Sequence, residues 1–420
     1  MALTEHPLRR ELVREMHLRR FAPVEAPCRI VQMVYLVADE DREEERLRLA
    51  EALPAGGEPP GREARHAMFE LDGGRRLLWE KQTEATTVTA ISGVDDEAGL
   101  AALTDWLAGW PGLVVRATKL FVEADEASAE RRLTDMAFER EELVTCRIKA
   151  GARIWSDFRI REDGFGRLLI AAGDAPSEEL GRIVQRIQEL GNYRNLALLG
   201  LPHVRRLTPT LAVLEEQLAE YSLALGADSE GDDETLLAEL SELSARLAQL
   251  RVDSGYRLNA SKAYAQIAAD RLESLEVEPL PGHQSLTDFT ERRLVPAMRT
   301  CETFAERTRL LSERSGDAIA LLNTRIDTRI KAQNLALLKS MDSTFNLQLR
   351  LQHLVEALSI VAASYYAIGL IAYMLKGAKA FPDGDRIDIA LAIATPLIVL
   401  LFFALVSRIR KRFLRDIENS

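Results

Sequence analysis

The chain of 420 residues is poor in the groups that build common catalytic and metal sites. Its three cysteines, Cys28, Cys146 and Cys301, are far apart and odd in number, so they form no disulfide framework and suit a reducing compartment. Its six histidines lack metal-ligand spacing. P-loop, Rossmann, HExxH, CxxC and GxSxG patterns are absent from the sequence. We therefore predict no catalytic residues, no metal site and no cofactor, and a protein that is not an enzyme.

Positive charge is also in deficit. The chain has 54 Lys and Arg against 65 Asp and Glu, a formal net charge of −11. Because binding to a nucleic-acid backbone needs a basic face, this balance argues against nucleic acid as the main partner. A basic collar does stand near the C-terminus, where we expect contact with anionic lipid head groups. It consists of Arg408, Arg410, Lys411, Arg412 and Arg415.

Charge is missing altogether from two apolar stretches, Leu358–Leu375 and Ile389–Val406. Each has 18 residues, or roughly 27 Å of helix, close to the thickness of a hydrocarbon core. In lipid only a helix satisfies its own backbone over such a span, so the sequence predicts two antiparallel membrane helices. The alternative is a buried hairpin of a large soluble domain, in which two full spans without a charge would be unusual.

Flanking charge predicts the orientation of this hairpin. Five basic residues follow the second stretch, against Lys376, Lys379 and Arg386 in the turn between the stretches. The positive-inside rule then places the turn outside the cell. The N-terminal residues contain no apolar segment that would export the long preceding region. We expect both termini in the cytoplasm and the lipid bilayer as a partner.

The remaining chain predicts an α+β membrane protein. Apolar runs, charged helices and Gly-rich turns predict a mixed α/β domain with an antiparallel or mixed sheet. Helices are predicted over 177–198 and 208–225, with a loop between them. Leucines spaced by three and four then predict a coiled coil or helical hairpin, which residues 276–284 break at Pro279 and Pro281. Pro296 is expected to kink or delimit the start of the last long helix. The predicted parts are an N-terminal arm 1–27, an α/β cytosolic domain 28–175, a helical region 176–280, a stalk helix 284–357, transmembrane helices 358–375 and 389–406 around an extracytoplasmic loop 376–388, and a basic cytoplasmic tail 407–420.

The first apolar stretch carries small and polar residues on one face: Glu356, Ser359, Ala363, Tyr366 and Tyr373. We refer to these five residues as the polar stripe. Such residues pack against neighbouring helices in bilayers, which is the favoured role for the serines and alanines. The stripe could instead line a water-filled path in an oligomer, with Glu356 as an acidic ring at the cytoplasmic mouth. A solvated interfacial position for Glu356 is the other interpretation.

An acidic stretch, residues 228–234 with Glu239, places oxygens at four positions of a calcium loop. The sixth position, which requires glycine for a sharp turn, is Asp233. A linker in which Asp232 or Asp233 caps the next helix is therefore preferred.

Two segments carry a resemblance to a known family, HPLRRELVREMHLRRFAPVEAP and QLRLQHLVEALSIVAASYYAIGLIAYMLK. They resemble a bacterial family of uncharacterised membrane-anchored proteins, known only as a domain of unknown function, over nearly the whole chain. Its usual signature is His-Ala-Arg-Pro-Phe, where this chain has His-Leu-Arg-Arg-Phe at residues 17–21. The missing proline leaves the local turn open. The resemblance implies a bacterial inner-membrane location and no known activity.

The order of parts is similar to that of CorA-type magnesium channels, and residues 358–362 resemble the start of their pore helix. That resemblance implies a funnel-shaped homo-oligomer, a pentamer, with the first spans at its centre. The Gly-Met-Asn signature of those channels should end the first span, where this chain has Tyr-Met-Leu-Lys-Gly at 373–377. Magnesium selectivity is therefore not implied.

Three functional hypotheses remain open. The first is an oligomer whose spans form an ion path controlled by the cytosolic domain. The second is a non-conducting anchor or scaffold that displays its cytosolic domain to a protein partner. The third, the weakest of the three, is an enzyme tethered to the bilayer, which a pocket with converging polar groups in the α/β domain would favour.

Overall fold

A computed structural model describes residues 3, 5–10, 12–13, 22–53, 60–62, 64–227, 233–377 and 384–418. The side chains of residues 140, 375–377, 384–388, 390–391 and 409–418 are outside this description. The chain divides into two units, Met1–Ile319 and Ala320–Ser420. The family signature at residues 17–21 and the acidic residues 228–232 both lie outside the described residues.

A mixed sheet forms the centre of the first unit. Its order is β2-β3-β4-β1-β5-β8-β7-β6-β9, in which β5 and β8 are parallel and the other neighbours antiparallel. The interior strand β1 is an almost continuous apolar run because helices cover both faces of the sheet. The strands are β1 Cys28–Leu36, β2 His66–Glu70, β3 Arg76–Lys81, β4 Ala85–Gly93, β5 Leu113–Glu123, β6 Val144–Arg147, β7 Arg153–Ser156, β8 Gly166–Ala171 and β9 Glu278–Pro279.

Helices lie on both faces of this sheet and continue beyond it. The predicted mixed α/β architecture with a long C-terminal helix is thus confirmed. Asp96 and Asp125 accept hydrogen bonds from the backbone N–H groups of Gly99 (3.1 Å) and Ser128 (2.7 Å), which fixes the starts of α2 and α3. The helices are α1 Arg42–Glu51, α2 Glu97–Ala108, α3 Glu126–Asp135, α4 Ser177–Leu198, α5 Gly200–Gly226, α6 Asp233–Ser274, α7 Leu286–Gly377 and α8 Gly384–Glu418.

The core lies in layers on the two faces of the sheet. Alternate residues of β1 point to opposite faces, so that Ile30 packs toward α4 and α6 whereas Val31 packs toward α1 and α2. On the second face the Tyr35 hydroxyl donates a 2.6 Å hydrogen bond to the carbonyl of Leu107 in α2. This bond satisfies the buried phenol and fixes α2 on the strand.

The helical region contains two departures from the sequence-based prediction. A loop was expected over residues 199–207, but α5 begins at Gly200 directly after α4. Pro202 is tolerated there because the first turn of a helix has no partner for its backbone N–H groups. Gly200 is required by packing, since an added Cβ would lie 2.6 Å from Ser261 Oγ.

The second departure is the segment between α6 and α7, which was expected to be only a break. Glu278 and Pro279 instead form β9 and pair with β6 at the sheet edge. Proline is acceptable in an edge strand because its missing N–H would face away from the sheet. The leucine repeat of α6 packs within the chain on α5, as the helical-hairpin alternative predicted.

Helix α7 contains both the predicted stalk and the first apolar stretch. Its start is set by a capping box and not by proline. Ser285 Oγ accepts from the N–H of Asp288 (3.1 Å), and Asp288 Oδ2 accepts from the Ser285 N–H (3.1 Å) and hydroxyl (2.7 Å). Pro296 lies inside the helix, so it does not delimit the start, and the alternative that it kinks the helix stays a prediction.

The capping box provides the first prediction. Ser285→Ala removes one partner of the box and should lower the free energy of unfolding by about 1 kcal/mol, while Ser285→Thr should retain most of it. The hydrogen bonds from Ser285 lower the pKa of Asp288 below its ordinary 3.8. The stabilisation is therefore complete above 3.8 and is lost as the pH falls through the lower folded-state pKa. Denaturant unfolding of both variants at pH 7 and pH 3 checks this, and equal losses at the two pH values would contradict it.

Candidate functional sites in the helical tail and the sheet domain

The apolar part of α7 is exposed along most of its length. Leu358, Val361, Leu370 and Met374 all have side chains more than 60% exposed. Within the described residues, Leu286–Met374 is the helix long and apolar enough, by length and composition, to cross a membrane. An apolar surface of this extent is characteristic of a membrane or protein contact.

The second predicted span lies in α8. The described apolar part of that helix, Ala392–Arg408, is shorter than a full span, and Ile393, Leu397 and Phe403 are exposed along it. The turn between the two stretches includes residues 378–383, which lie outside the described residues. A transmembrane hairpin therefore stays a prediction, whereas the long apolar helix is present.

The polar stripe lies on a side of α7 that this chain leaves open. Tyr366 is 71% exposed and Tyr373 is 83% exposed, and Ser359 and Ala363 are exposed with them. The Ser359 hydroxyl donates to the carbonyl of Val355 at 2.8 Å, so its hydrogen bond is satisfied within the helix. Glu356 is partly buried, with Oε2 at 3.6 Å from Nδ1 of His353.

A different strip of α7 is covered. Ser364 is only 2% exposed and donates a 2.7 Å hydrogen bond to the carbonyl of Ile360, which is partly buried together with Ala367 and Ile368. This strip is rotated by about one residue, or roughly 100°, from the polar stripe. The pore-lining role of the polar stripe is untested by this arrangement and stays a prediction.

The basic collar is only partly described. Arg408 is exposed at the end of the apolar part of α8. The other four collar residues belong to the same helix, but their side chains lie outside the described residues. Their contact with lipid head groups is likewise untested.

The cysteines are buried and unpaired. Burial raises the pKa of both Cys28 and Cys146 to about 11, so the two thiols stay protonated at neutral pH and are poor nucleophiles. Asp233 is buried at the first position of α6, where a carboxylate interacts favourably with the helix dipole. Within the described part of the chain, no three side chains are grouped to hold a metal ion.

A cavity of about 230 Å³ lies inside the sheet domain, between β5, β8, the loop after β7, and α4. Its wall includes Arg116 of β5 and Arg194 of α4, together with Phe158 and Ile160 of the loop. Leu286, the first residue of α7, completes one side. The cavity is thus lined mainly by strands and a helix, and it is open on the side of the exposed Ile160.

The side chain of Arg116 passes over Gly191 of α4 to reach the cavity. Its Nη1 donates to Gln32 Oε1 (3.1 Å) and to Asn192 Oδ1 (2.8 Å), which are both neutral acceptors. An added Cβ at Gly191 would lie 2.7–2.8 Å from the Nε, Cζ and Nη2 atoms of Arg116. The guanidinium therefore lies directly against the backbone of α4. Burial, and then the charge of Arg194, lower the pKa of Arg116 to about 9.

Arg194 is 8% exposed and lies beside a stacked pair of aromatic rings. Its Cζ is 4.6 Å from the ring centroid of Phe158 and 5.1 Å from that of Phe289, and the two rings stack at 4.4 Å. Burial, and then the charge of Arg293, lower the pKa of Arg194 to about 10. Phe158 has a φ of +52°, a strained conformation for an aromatic residue, which the hydrogen bond from its N–H to Ser156 Oγ (3.1 Å) helps to hold.

A family model described as a protein of unknown function, DUF3422, matches residues 4–413. The chain belongs to the DUF3422 family. This confirms the predicted membership of an uncharacterised family, while the likeness to CorA-type channels and a bacterial origin stay predictions. No curated protein matches the chain.

The sequence analysis missed the arginine cavity of this DUF3422 chain, although a signal was present. Arg194 continues the apolar stripe of α4, four residues after Leu190 and three before Ala197. Arg116 falls on the same face of β5 as Leu120. An arginine in the apolar pattern of a core-facing helix or strand is an exception that marks a candidate site.

Gly191 provides a second prediction. Gly191→Ala should lower the free energy of unfolding by about 1–2 kcal/mol, because displacement of Arg116 costs its hydrogen bonds and outweighs the roughly 1 kcal/mol helix preference of alanine. Gly255→Ala in α6 is the matched control, since nothing lies within 4 Å of its added Cβ. We expect that control to be stabilised by up to about 1 kcal/mol. Denaturant unfolding followed by circular dichroism compares the two, and equal stabilisation would refute a close Arg116–Gly191 contact.

Proposed function

We propose that this chain is an integral plasma-membrane protein of the bacterial inner membrane. The apolar parts of α7 and α8 cross the bilayer, and both termini are cytoplasmic. The exposed apolar side chains of α7 carry this proposal, because lipid is the environment in which so many exposed Leu, Val and Tyr side chains are stable. The basic collar supports the orientation through the positive-inside rule.

In this proposal the chain forms a homo-oligomer of CorA-like build, a pentamer, in which the first spans surround an ion path. The open polar stripe supports it, since the chain buries a different strip of the same helix and leaves most of the stripe exposed for a central axis. Glu356 then forms an acidic ring at the cytoplasmic mouth. The transported ion differs from magnesium, because the Gly-Met-Asn tripeptide is missing and Lys376 stands near the outer mouth.

The second candidate function is a non-conducting membrane scaffold that presents the sheet domain to a cytosolic protein. The bulk of Tyr366 and Tyr373 favours it, because two rings on the polar stripe of each subunit would fill a narrow axis. In that arrangement the stripe serves helix packing only.

Membrane insertion is tested by placing charge in the apolar part of α7. The double variant Val361→Lys/Leu370→Lys should lose most of its membrane fraction after alkaline washing, since each lysine near the centre of a span costs about 2.5–3.5 kcal/mol. The control is Leu337→Lys/Leu347→Lys, whose two leucines are equally exposed on the same helix, before the apolar stretch. Retention of both variants in the washed membrane would contradict insertion at 358–375.

Conduction is tested in liposomes that contain the purified full-length chain. Tyr366→Ala should raise ion flux at least several-fold by removing a ring from the axis, and Glu356→Gln should reduce the preference for cations. Tyr365→Ala is the matched control, because this exposed neighbour lies off the polar stripe. Absence of flux in wild type and all variants under every ion gradient would exclude the ion path and leave the scaffold.

A further inference from the structure

Three arginines, Arg116, Arg167 and Arg194, belong to the wall of the cavity in the sheet domain. Arg167 donates to the Met136 carbonyl at 3.4 Å, and the other two have no acidic partner among the described residues. Within the described part of the chain neither Arg116 nor Arg194 has a carboxylate in ion-pair contact, and no Asp or Glu belongs to the cavity wall. An unpaired charge withdrawn from water is strongly unfavourable. The wall of the cavity therefore carries an excess of positive charge that a bound anion would neutralise.

This unpaired charge contrasts with several other poorly exposed arginines of the chain, which are paired with acids. Arg29 is 2.9 Å from Glu123, Arg42 is 2.9 Å from Glu45, and Arg257 is 2.6 Å from Glu84. The same pattern holds on the α6 side of α4, where Arg271 pairs with Glu189. The cavity is set apart because its guanidinium groups meet only amides, aromatic rings and apolar side chains.

Donors remain available on both arginines. Arg116 uses Nη1 for its two hydrogen bonds, which leaves Nε and Nη2 without a protein acceptor among the described residues. Arg194 is more than nine-tenths buried, and its Nη1 has no hydrogen-bond partner there either. A buried donor without a hydrogen-bond acceptor costs about 1–3 kcal/mol, and more when the donor is charged. An acceptor supplied by a ligand removes that cost.

The size and the wall of the cavity define the class of ligand. A volume of about 230 Å³ holds roughly seven or eight water-sized groups at about 30 Å³ each. Guanidinium groups match carboxylate and phosphate oxygens with paired N–H donors. Phe158, Ile160 and Ile187 offer an apolar wall beside them. We propose that the cavity binds a small organic anion, whose carboxylate or phosphate group is held by Arg116 and Arg194 and whose carbon skeleton contacts this wall.

A larger groove of about 850 Å³ between α6 and the first part of α7 lacks this property. Its wall carries Glu273, Glu291 and Glu306 beside Lys262, Arg299 and Arg309, so positive and negative charges are mixed. Arg309 is paired with Glu306 at 2.7 Å. The groove therefore has no excess charge that selects an anion.

The test measures anion binding to the full-length chain in a neutral maltoside detergent. Isothermal titration and thermal unfolding use inorganic phosphate, glycerol 3-phosphate and succinate, each against sodium chloride of equal ionic strength. We expect at least one anion to bind with a Kd below 1 mM and to raise the Tm of the wild type. A response to the two phosphates identifies a phosphate site, and a response to succinate identifies a carboxylate site.

Variants separate binding from a structural role. Arg194→Met should unfold at the same or a higher temperature than wild type without anion, because it replaces an unpaired buried charge by an apolar side chain. It should weaken anion binding at least tenfold, as should Arg116→Gln. Arg186→Met is the control on α4, since Arg186 lies outside the cavity wall and donates to the Ser274 carbonyl; its anion response should be unchanged.

Failure of all three anions to bind the wild type, or an equal response in Arg194→Met, overturns the proposal. If Arg194→Met does not fold, the wild-type titration and Arg116→Gln still decide it. Binding is measured in detergent without an ion gradient, so the result is independent of whether the membrane spans conduct.

Discussion

The packing of α4 on one face of the sheet is the interaction on which the sheet domain depends. Large apolar side chains of this helix, including Leu180, Ile183, Ile187 and Leu190, are buried against the strands and α6. Each contributes about 1.5–3 kcal/mol by leaving water. Near its start the helix is in close contact with the segment before β1, since an added Cβ at Gly181 would lie 2.2 Å from the carbonyl oxygen of Ala22. The same buried face, one turn before its end, carries Arg194, so stability and the cavity share one surface.

The fold follows from sequence where one pattern dominates a segment. The apolar run of β1 and the leucine repeat of α6 both predicted the elements that form, because burial on one or both faces imposes a fixed period. Prediction failed where a long-range contact decides local structure. β9 pairs with the edge of β6, and residue 200 at the start of α5 must be glycine because Ser261 and Cys301 lie against it. Neither neighbour is adjacent in sequence.

The functional residues divide in the same way. The polar stripe was visible as a periodic set of side chains within a single helix, and the structure leaves most of it exposed. The arginine cavity combines Arg116, Phe158 and Arg194 from a strand, a loop and a helix. No spacing within one element joins those three residues, so only the sheet topology brings them together. A pair of arginines without acids becomes informative only once the burial of both is known.

The anchoring of the start of α7 has a mechanical consequence. The linker before this helix is joined to the sheet by β9, by the hydrogen bond from the Thr145 N–H to the Gln284 carbonyl (3.1 Å), and by that from the Lys149 N–H to the Leu275 carbonyl (2.9 Å). The capping box and the stacking of Phe289 on Phe158 then hold the first turn. A joint with this many attachments has no free hinge. A twisting force on the first turns of α7 would therefore be transmitted directly to the β6–β9 edge of the sheet.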